Sequence, residues 1–176
     1  MPGAARFRRT SKPLAVAAGI IILVIVVWTA VPSHRDSESF YPSIAEAAKD
    51  GAITRGWIPD DLLPGSSRAI HEAHDLSPST EWCAFDFAPA DSQNLRKNLK
   101  NVDVLPPFIR RVPDPHLSWW PSMLKGNLDR ERIHREGFDL YLVERPANSV
   151  MTEVLLFAID WSKGRGFFYS AYKSED

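Results

Sequence analysis

Five consecutive residues near the middle of the chain carry the side chains best suited to chemistry. They read His71-Glu72-Ala73-His74-Asp75, two imidazoles and two carboxyl groups in one short run. On a helix, residues at i and i+3 share a face, so His71 and His74 are candidate ligands for a zinc ion. The metalloprotease motif instead places its two histidines at i and i+4. The alternative is that these polar side chains are partly buried and hold a turn through hydrogen bonds.

Three tryptophans outside that run are candidates for binding a partner. Trp57 lies in Arg55-Gly56-Trp57-Ile58-Pro59, where an exposed indole would anchor a partner and a buried one would fill the core beneath a rigid turn. Trp119 and Trp120 are adjacent in a Pro-rich stretch. They would stack on a sugar if exposed, or close the core over a long loop if buried.

The remaining reactive residue types do not form a catalytic signature. The single cysteine, Cys83, has Glu81 and Asp86 as neighbours, and acidic neighbours raise the pKa of a thiol and so make it a poor nucleophile. The chain has no Gly-x-Ser-x-Gly elbow and no phosphate-binding loop. We therefore predict that the protein is not an enzyme and needs no cofactor.

The elements that position these residues are predicted to form an α+β domain. Ser43 and Glu46 form a capping box at the start of a short helix, and Gly51 is placed to end it. Two more short helices are predicted over residues 89–99 and 127–136. Apolar patterning predicts strands over residues 81–87, 138–144, 152–161 and 167–172. We expect a mainly antiparallel sheet of about four strands, with two or three short helices on one face.

The N-terminal part of the chain contains a membrane signal. Residues 14–31 read LAVAAGIIILVIVVWTAV, and as a helix they would span about 27 Å, close to the thickness of a hydrocarbon core. The preceding residues are basic without an acid, which keeps the N-terminus in the cytoplasm. A cleaved signal peptide, the alternative, has a shorter apolar run. We predict a cytoplasmic tail over 1–12, one transmembrane signal anchor over 13–32, a linker over 33–42 and an extracytoplasmic domain over 43–176.

Charge limits the partners of the outer domain. The chain has 21 basic and 22 acidic residues, and four of the basic residues lie in the first twelve, so residues 13–176 have a formal charge of −5. Nucleic acid requires clustered positive charge and is excluded as a partner. We predict a single-pass membrane protein whose extracytoplasmic domain binds another protein. The alternative function is a small metal-dependent or hydrolytic envelope enzyme built on His71, Glu72, His74 and Asp75.

A series of short motifs follows the predicted first helix. It comprises Ala48-Lys49-Asp50-Gly51, Arg55-Gly56-Trp57-Ile58-Pro59, Ile70-His71-Glu72 and the aromatic strand around Trp82 and Phe85. Together these motifs resemble the YbbD-head family of small bacterial domains, which are often exported or membrane-anchored and have no assigned biochemical activity. The resemblance implies an envelope domain of bacterial origin, and it brings no catalytic residues with it. With the anchor, it predicts a single-pass protein of the bacterial inner membrane whose periplasmic domain binds another envelope protein.

Overall fold

Antiparallel strands dominate the structure, a computed structural model that describes residues 37–75 and 79–174. The strands are β1 (Ser37–Ser43), β2 (Arg68–Asp75), β3 (Thr80–Asp86), β4 (Lys100–Asn101), β5 (Arg111–Val112), β6 (Gly126–Asn127), β7 (Asp139–Pro146), β8 (Met151–Asp160) and β9 (Arg165–Ser174). Seven of them form one sheet in the order β1-β2-β3-β9-β8-β7-β4, with every neighbouring pair antiparallel. Strands β5 and β6 form a separate two-stranded sheet.

The helices of the described residues are short. They are α1 (Ile44–Asp50), α2 (Gln93–Asn98) and α3 (Arg130–Arg135), with 3-10 turns at Pro89–Asp91, Pro107–Ile109 and Ser122–Leu124. Helix α1 begins and ends as the sequence predicts: the Oγ atom of Ser43 accepts a hydrogen bond from the backbone N–H of Glu46, and Gly51 adopts a left-handed φ of 82°. No helix in the described ranges is long and apolar enough to cross a membrane.

The large sheet is covered on both faces, which divides the buried side chains into two cores. The front core lies between the sheet and the segment from Val102 to Ile133. The back core lies between the sheet and the segment from Ala47 to Leu63, together with Leu95 of α2. Strand β8 is buried almost along its whole length because alternate side chains enter the two cores.

These observations correct the predicted fold class. The α+β arrangement with about four strands and helices on one face is wrong, because the main sheet has seven strands and is covered on both faces by short helices and irregular chain. Strand β1 forms where the sequence indicated a linker, and β2 forms where helical spacing was considered. Neither strand has the regular alternation of apolar and polar residues that identifies a strand with one solvent-exposed face.

The predictions for the N-terminal part fall outside the described residues. The cytoplasmic tail over 1–12, the anchor over 13–32 and the first residues of the linker are not among the ranges 37–75 and 79–174. The predicted transmembrane segment therefore stays a prediction.

Candidate functional site

Strand β2 distributes the histidine–carboxylate run over both faces of the sheet. Successive side chains of a strand point to opposite faces, so His71 faces the front core, and Glu72 and His74 face the back. The two imidazoles cannot share a metal ion across the sheet. Within the described ranges, no group of three or more His, Cys, Asp and Glu side chains is arranged to hold a metal ion. The zinc ligand pair that helical spacing suggested is thus not formed, because the segment is a strand.

Glu72 and His74 form a buried pair on the back face. Nδ1 of His74 lies 2.7 Å from Oε1 of Glu72, and the residues are 5% and 0% exposed, respectively. Burial raises the pKa of Glu72 to about 8, and the positive charge of Arg55 opposes this rise only in part. Burial also lowers the pKa of His74. Both shifts favour the neutral forms, so the bond joins a carboxyl group to a neutral imidazole.

Trp57 covers this pair from the solvent side. Its indole is stacked on the His74 ring, with 3.9 Å between the ring centroids, and the guanidinium of Arg55 lies 4.0 Å from the centre of the indole. Asp50 holds Arg55 in place, with 3.0 Å between Oδ2 and Nη2. Trp57 is half-buried as the middle layer of this stack, so it is neither a plug of the core nor a fully exposed anchor.

A polar cavity of about 170 Å³ opens beside the stack. Strand ends and the Trp57 loop supply its lining, which consists of Arg55, Trp57, His74, Asp75, Ser79, Thr80, Glu81 and Tyr172. Two lining residues each have a side-chain oxygen that is inaccessible to solvent and lacks a hydrogen-bond partner: Oε2 of Glu81, on the back face, and Oγ1 of Thr80, on the front face. Oε2 of the neighbouring Glu72 has the same property. Buried acceptors without partners are unusual in folded proteins and mark this end of the sheet as a candidate site.

Carboxyl groups are concentrated around the cavity. Glu81 lies directly opposite His74 in the β2–β3 pairing. Burial raises the pKa of Glu81 to about 8, with further contributions from Glu153 and Glu72, while Arg145 opposes the rise. Arg145 is held by Glu153, with 2.8 Å between Nε and Oε2. Burial therefore disfavours the charged form of Glu81 at this end of the sheet.

A second feature of the surface lies on the front face near β1. The rings of Phe40, His71 and Trp119 follow one another, with centroid separations of 4.8 Å and 5.5 Å. Nε1 of Trp119 donates a hydrogen bond to Oε1 of Glu38 at 2.7 Å. Phe40 is 55% exposed, whereas Trp120 is 3% exposed and fills the front core. We call Phe40, His71 and Trp119 the aromatic row.

Sequence reasoning found some of these residues and missed others. Trp57, Trp119, Glu72 and His74 stand out by residue type, and the structure brings all but Trp119 together at the back face. Glu81 and Phe40 were not identified as site residues. The sequence showed only a carboxyl group at 81 and an aromatic ring at 40. The strand pairing that places Glu81 opposite His74 and Phe40 opposite His71 is a property of the folded sheet.

The comparison with known proteins concerns the first part of the domain. Residues 36–86 match the model of the YbbD head domain family, which confirms the resemblance and supports a bacterial envelope-related protein. The matched range contains β1, α1, β2 and β3, and with them the buried pair, Trp57 and Glu81. No curated protein and no solved structure matches the chain.

Proposed function

We propose that this is a membrane-attached binding domain rather than an enzyme, and that it binds an extended segment of another envelope protein along the free edge of β1. One observation carries the proposal. Strand β1 is the last strand of the sheet, no described strand pairs with its outer side, and Phe40 is exposed in its middle. A free edge presents backbone donors and acceptors to which a partner strand can bind.

The geometry of the edge limits where a partner segment binds. Pro42 has no backbone N–H, so the useful part of the edge is Ser37–Tyr41. A segment of about five residues matches that length. The ring of Phe40 packs on His71, which in turn packs on Trp119. Phe40 thus gives the edge an apolar contact point in addition to its backbone groups.

Charge indicates the chemistry of the partner segment. Residues 13–176 have a formal charge of −5, and Glu38 is exposed on β1 two residues from Phe40. A partner strand with a basic side chain near Glu38 and an apolar side chain near Phe40 complements this edge. We therefore propose a basic segment with alternating apolar residues as the binding partner.

Location in the envelope belongs to the same proposal. The apolar residues 14–31 and the basic residues before them support attachment to the bacterial inner membrane, with the N-terminus in the cytoplasm and the domain in the periplasm. Periplasmic exposure would place the β1 edge among other envelope proteins. Protection of the domain from protease in intact spheroplasts, instead of cleavage, would contradict this topology.

The proposal is tested with the full-length protein in its own membranes. A photoreactive phenylalanine analogue replaces Phe40, and a control variant carries it at Val150, which is similarly exposed at 59% but lies between β7 and β8. We expect one crosslinked partner from position 40 only, attached through a short basic segment identified by mass spectrometry. A synthetic copy of that segment should compete, and Phe40→Ser should weaken its binding at least tenfold.

Other outcomes overturn the proposal. Equal crosslinking from positions 40 and 150 would show that Phe40 is not a specific contact. Crosslinks to a second copy of this chain alone would make the edge a self-association surface. A partner attached through a folded surface, whose isolated segment does not compete, would exclude strand addition.

A further inference from the structure

We propose that the free edge of β1 recognises an arginine side chain of the partner segment, whose guanidinium pairs with Glu38 and stacks on the ring of Phe40. The inference rests on the proposed strand addition at this edge, and it names the side chain that the edge selects. Two complete examples of the same arrangement, a guanidinium held by a carboxylate and an aromatic ring, lie elsewhere in this domain.

The first example covers the buried pair on the back face. The guanidinium of Arg55 lies 4.0 Å from the centre of the Trp57 indole, and its Nη2 atom lies 3.0 Å from Oδ2 of Asp50. A carboxylate and an aromatic face thus contact the same group. A planar guanidinium suits both contacts, because its N–H groups donate within its plane while its face lies on a ring.

The second example shows that the arrangement can form between two neighbouring strands. Arg165 of β9 pairs directly opposite Asp86 of β3, with 3.7 Å between Nε and Oδ1. Phe167 follows Arg165 by two residues, so it lies on the same face of β9, and its ring centre is 5.5 Å from the guanidinium. One carboxylate opposite the arginine and one ring two residues away are therefore sufficient to hold the side chain.

Strand β1 presents a carboxylate and a ring at this spacing. Glu38 and Phe40 are two residues apart and both face the front, because Phe40 pairs opposite His71 and Nε1 of Trp119 donates to Oε1 of Glu38. Both residues are exposed. None of the cation–ring contacts within residues 37–75 and 79–174 involves Phe40. The guanidinium is thus the component that a ligand would supply.

The neighbours of Glu38 and Phe40 hold them in position for such a ligand. The hydrogen bond from Trp119, at 2.7 Å, orients the carboxylate of Glu38. The ring of Phe40 packs on His71, yet 55% of the residue stays exposed. A strand added to β1 would place one side chain directly opposite Glu38, and that side chain would also lie diagonal to Phe40 and within reach of its ring.

The combination of carboxylate and ring selects arginine over lysine and over neutral side chains. A guanidinium donates two parallel hydrogen bonds to a carboxylate and lies flat on an aromatic face, whereas an ammonium is a compact and strongly hydrated point charge. An acidic side chain opposite Glu38 would be repelled. The formal charge of −5 over residues 13–176 favours a basic ligand as well.

The test measures the binding of synthetic peptides to the full-length protein in phosphatidylcholine nanodiscs by fluorescence anisotropy. The probe is a blocked peptide of seven residues with one arginine at its centre, flanked by valine and threonine, which favour strands. Matched peptides carry lysine or citrulline, a neutral isostere of arginine, at the centre. We expect the arginine peptide to bind about tenfold more tightly than the citrulline peptide and about threefold more tightly than the lysine peptide.

Two variants and a control assign these preferences to the two side chains. Glu38→Gln should remove the preference for arginine over citrulline. Phe40→Leu keeps an apolar side chain without the ring, and should remove the preference for arginine over lysine. Glu131→Gln, at an exposed position on α3, should leave both preferences unchanged. Thermal unfolding of each variant shows that it is folded.

The outcomes distinguish this inference from strand addition itself. Equal affinities of the three peptides, all lowered by Phe40→Ser, would overturn arginine recognition and leave strand addition in place. Absence of binding by every peptide would also overturn arginine recognition, and crosslinking from position 40 then decides independently on strand addition. A preference for arginine that survives in the folded Glu38→Gln and Phe40→Leu variants would locate recognition elsewhere and overturn the proposal.

Discussion

Nδ1 of His74 lies 2.7 Å from Oε1 of Glu72, and the two side chains are buried together under the indole of Trp57. The pair lies between the back core and the polar cavity, since His74 lines the cavity and Glu72 does not. Burial favours the neutral form of both groups. The hydrogen-bonded pair therefore separates the apolar back core from the polar cavity at the end of the sheet.

Removing the imidazole of His74 should destabilise the domain more than removing the imidazole of His71. His74→Ala leaves the Glu72 carboxyl group buried without a partner and opens a gap under Trp57, so we expect a loss of about 2–4 kcal/mol in the free energy of unfolding. His71→Ala removes a half-buried ring from the front face and should cost about 1 kcal/mol or less. Denaturant unfolding of the full-length protein in detergent measures both. Equal losses for the two variants would contradict a special role of the buried pair.

The contribution of Glu81 to stability should decrease as the pH rises. Its pKa is about 8 in the folded state against an ordinary value of 4.5, so the folded state binds the proton more tightly. The stabilisation is complete below pH 4.5 and is lost as the pH rises to about 8. Its slope is at most about 1.4 kcal/mol per pH unit for one proton.

Unfolding curves of wild-type and Glu81→Gln proteins from pH 4 to pH 9 measure this effect. The variant should lose less stability over that window, because Gln does not titrate. Glu72, Glu153, Arg145 and Tyr172 stay in place around the position in both proteins. Parallel pH profiles for the two proteins would show that Glu81 has an ordinary pKa.

Trp57 should be more important for stability than Trp119. Trp57→Ala removes the middle layer between Arg55 and His74 and exposes the buried pair, with an expected loss of about 2–4 kcal/mol. Trp119→Ala removes a half-buried ring that packs on His71 and against the front core and donates to the exposed Glu38. It uncovers no buried hydrogen-bonded pair, so it should cost about 1–2 kcal/mol. Thermal unfolding of the two variants tests this order, and the reverse order would contradict the stacked arrangement.

Gly164 in the β8–β9 turn should be intolerant of any side chain. Its φ is 64°, its carbonyl accepts a hydrogen bond from the N–H of Phe87 at 2.7 Å, and a Cβ atom at this position would collide with the carbonyl oxygen of Phe87. Gly164→Ala should therefore cost about 3 kcal/mol or more. Gly56→Ala is the matched control, since its φ is 82° but its Cβ would meet open space. It should cost only about 1–2 kcal/mol of backbone strain. Similar losses in thermal stability for Gly164→Ala and Gly56→Ala would show that the clash with Phe87 does not matter.

Local patterns predicted the elements whose determinants are local. The cap at Ser43 and the stop at Gly51 define α1 through hydrogen bonds that span only a few residues. Strands β3, β7, β8 and β9 lie close to the predicted ranges, because their apolar and aromatic runs are long. Strand β2 was missed because RAIHEAHD has no alternation of apolar and polar residues, and its burial comes from layers on both faces.

The amino-acid sequence by itself determined the acidic charge, the apolar N-terminal run, the family resemblance and the residue types that carry the chemistry. Tertiary structure decided which of those residues meet. Whether His71 or Glu72 shares a face with His74 depends on whether the segment is a helix or a strand, and the layers that cover the sheet settle this. The stack of Trp57 on His74 and the register between His74 and Glu81 join residues far apart in the chain. Such contacts depend on the packing of the whole domain, which local periodicity does not encode.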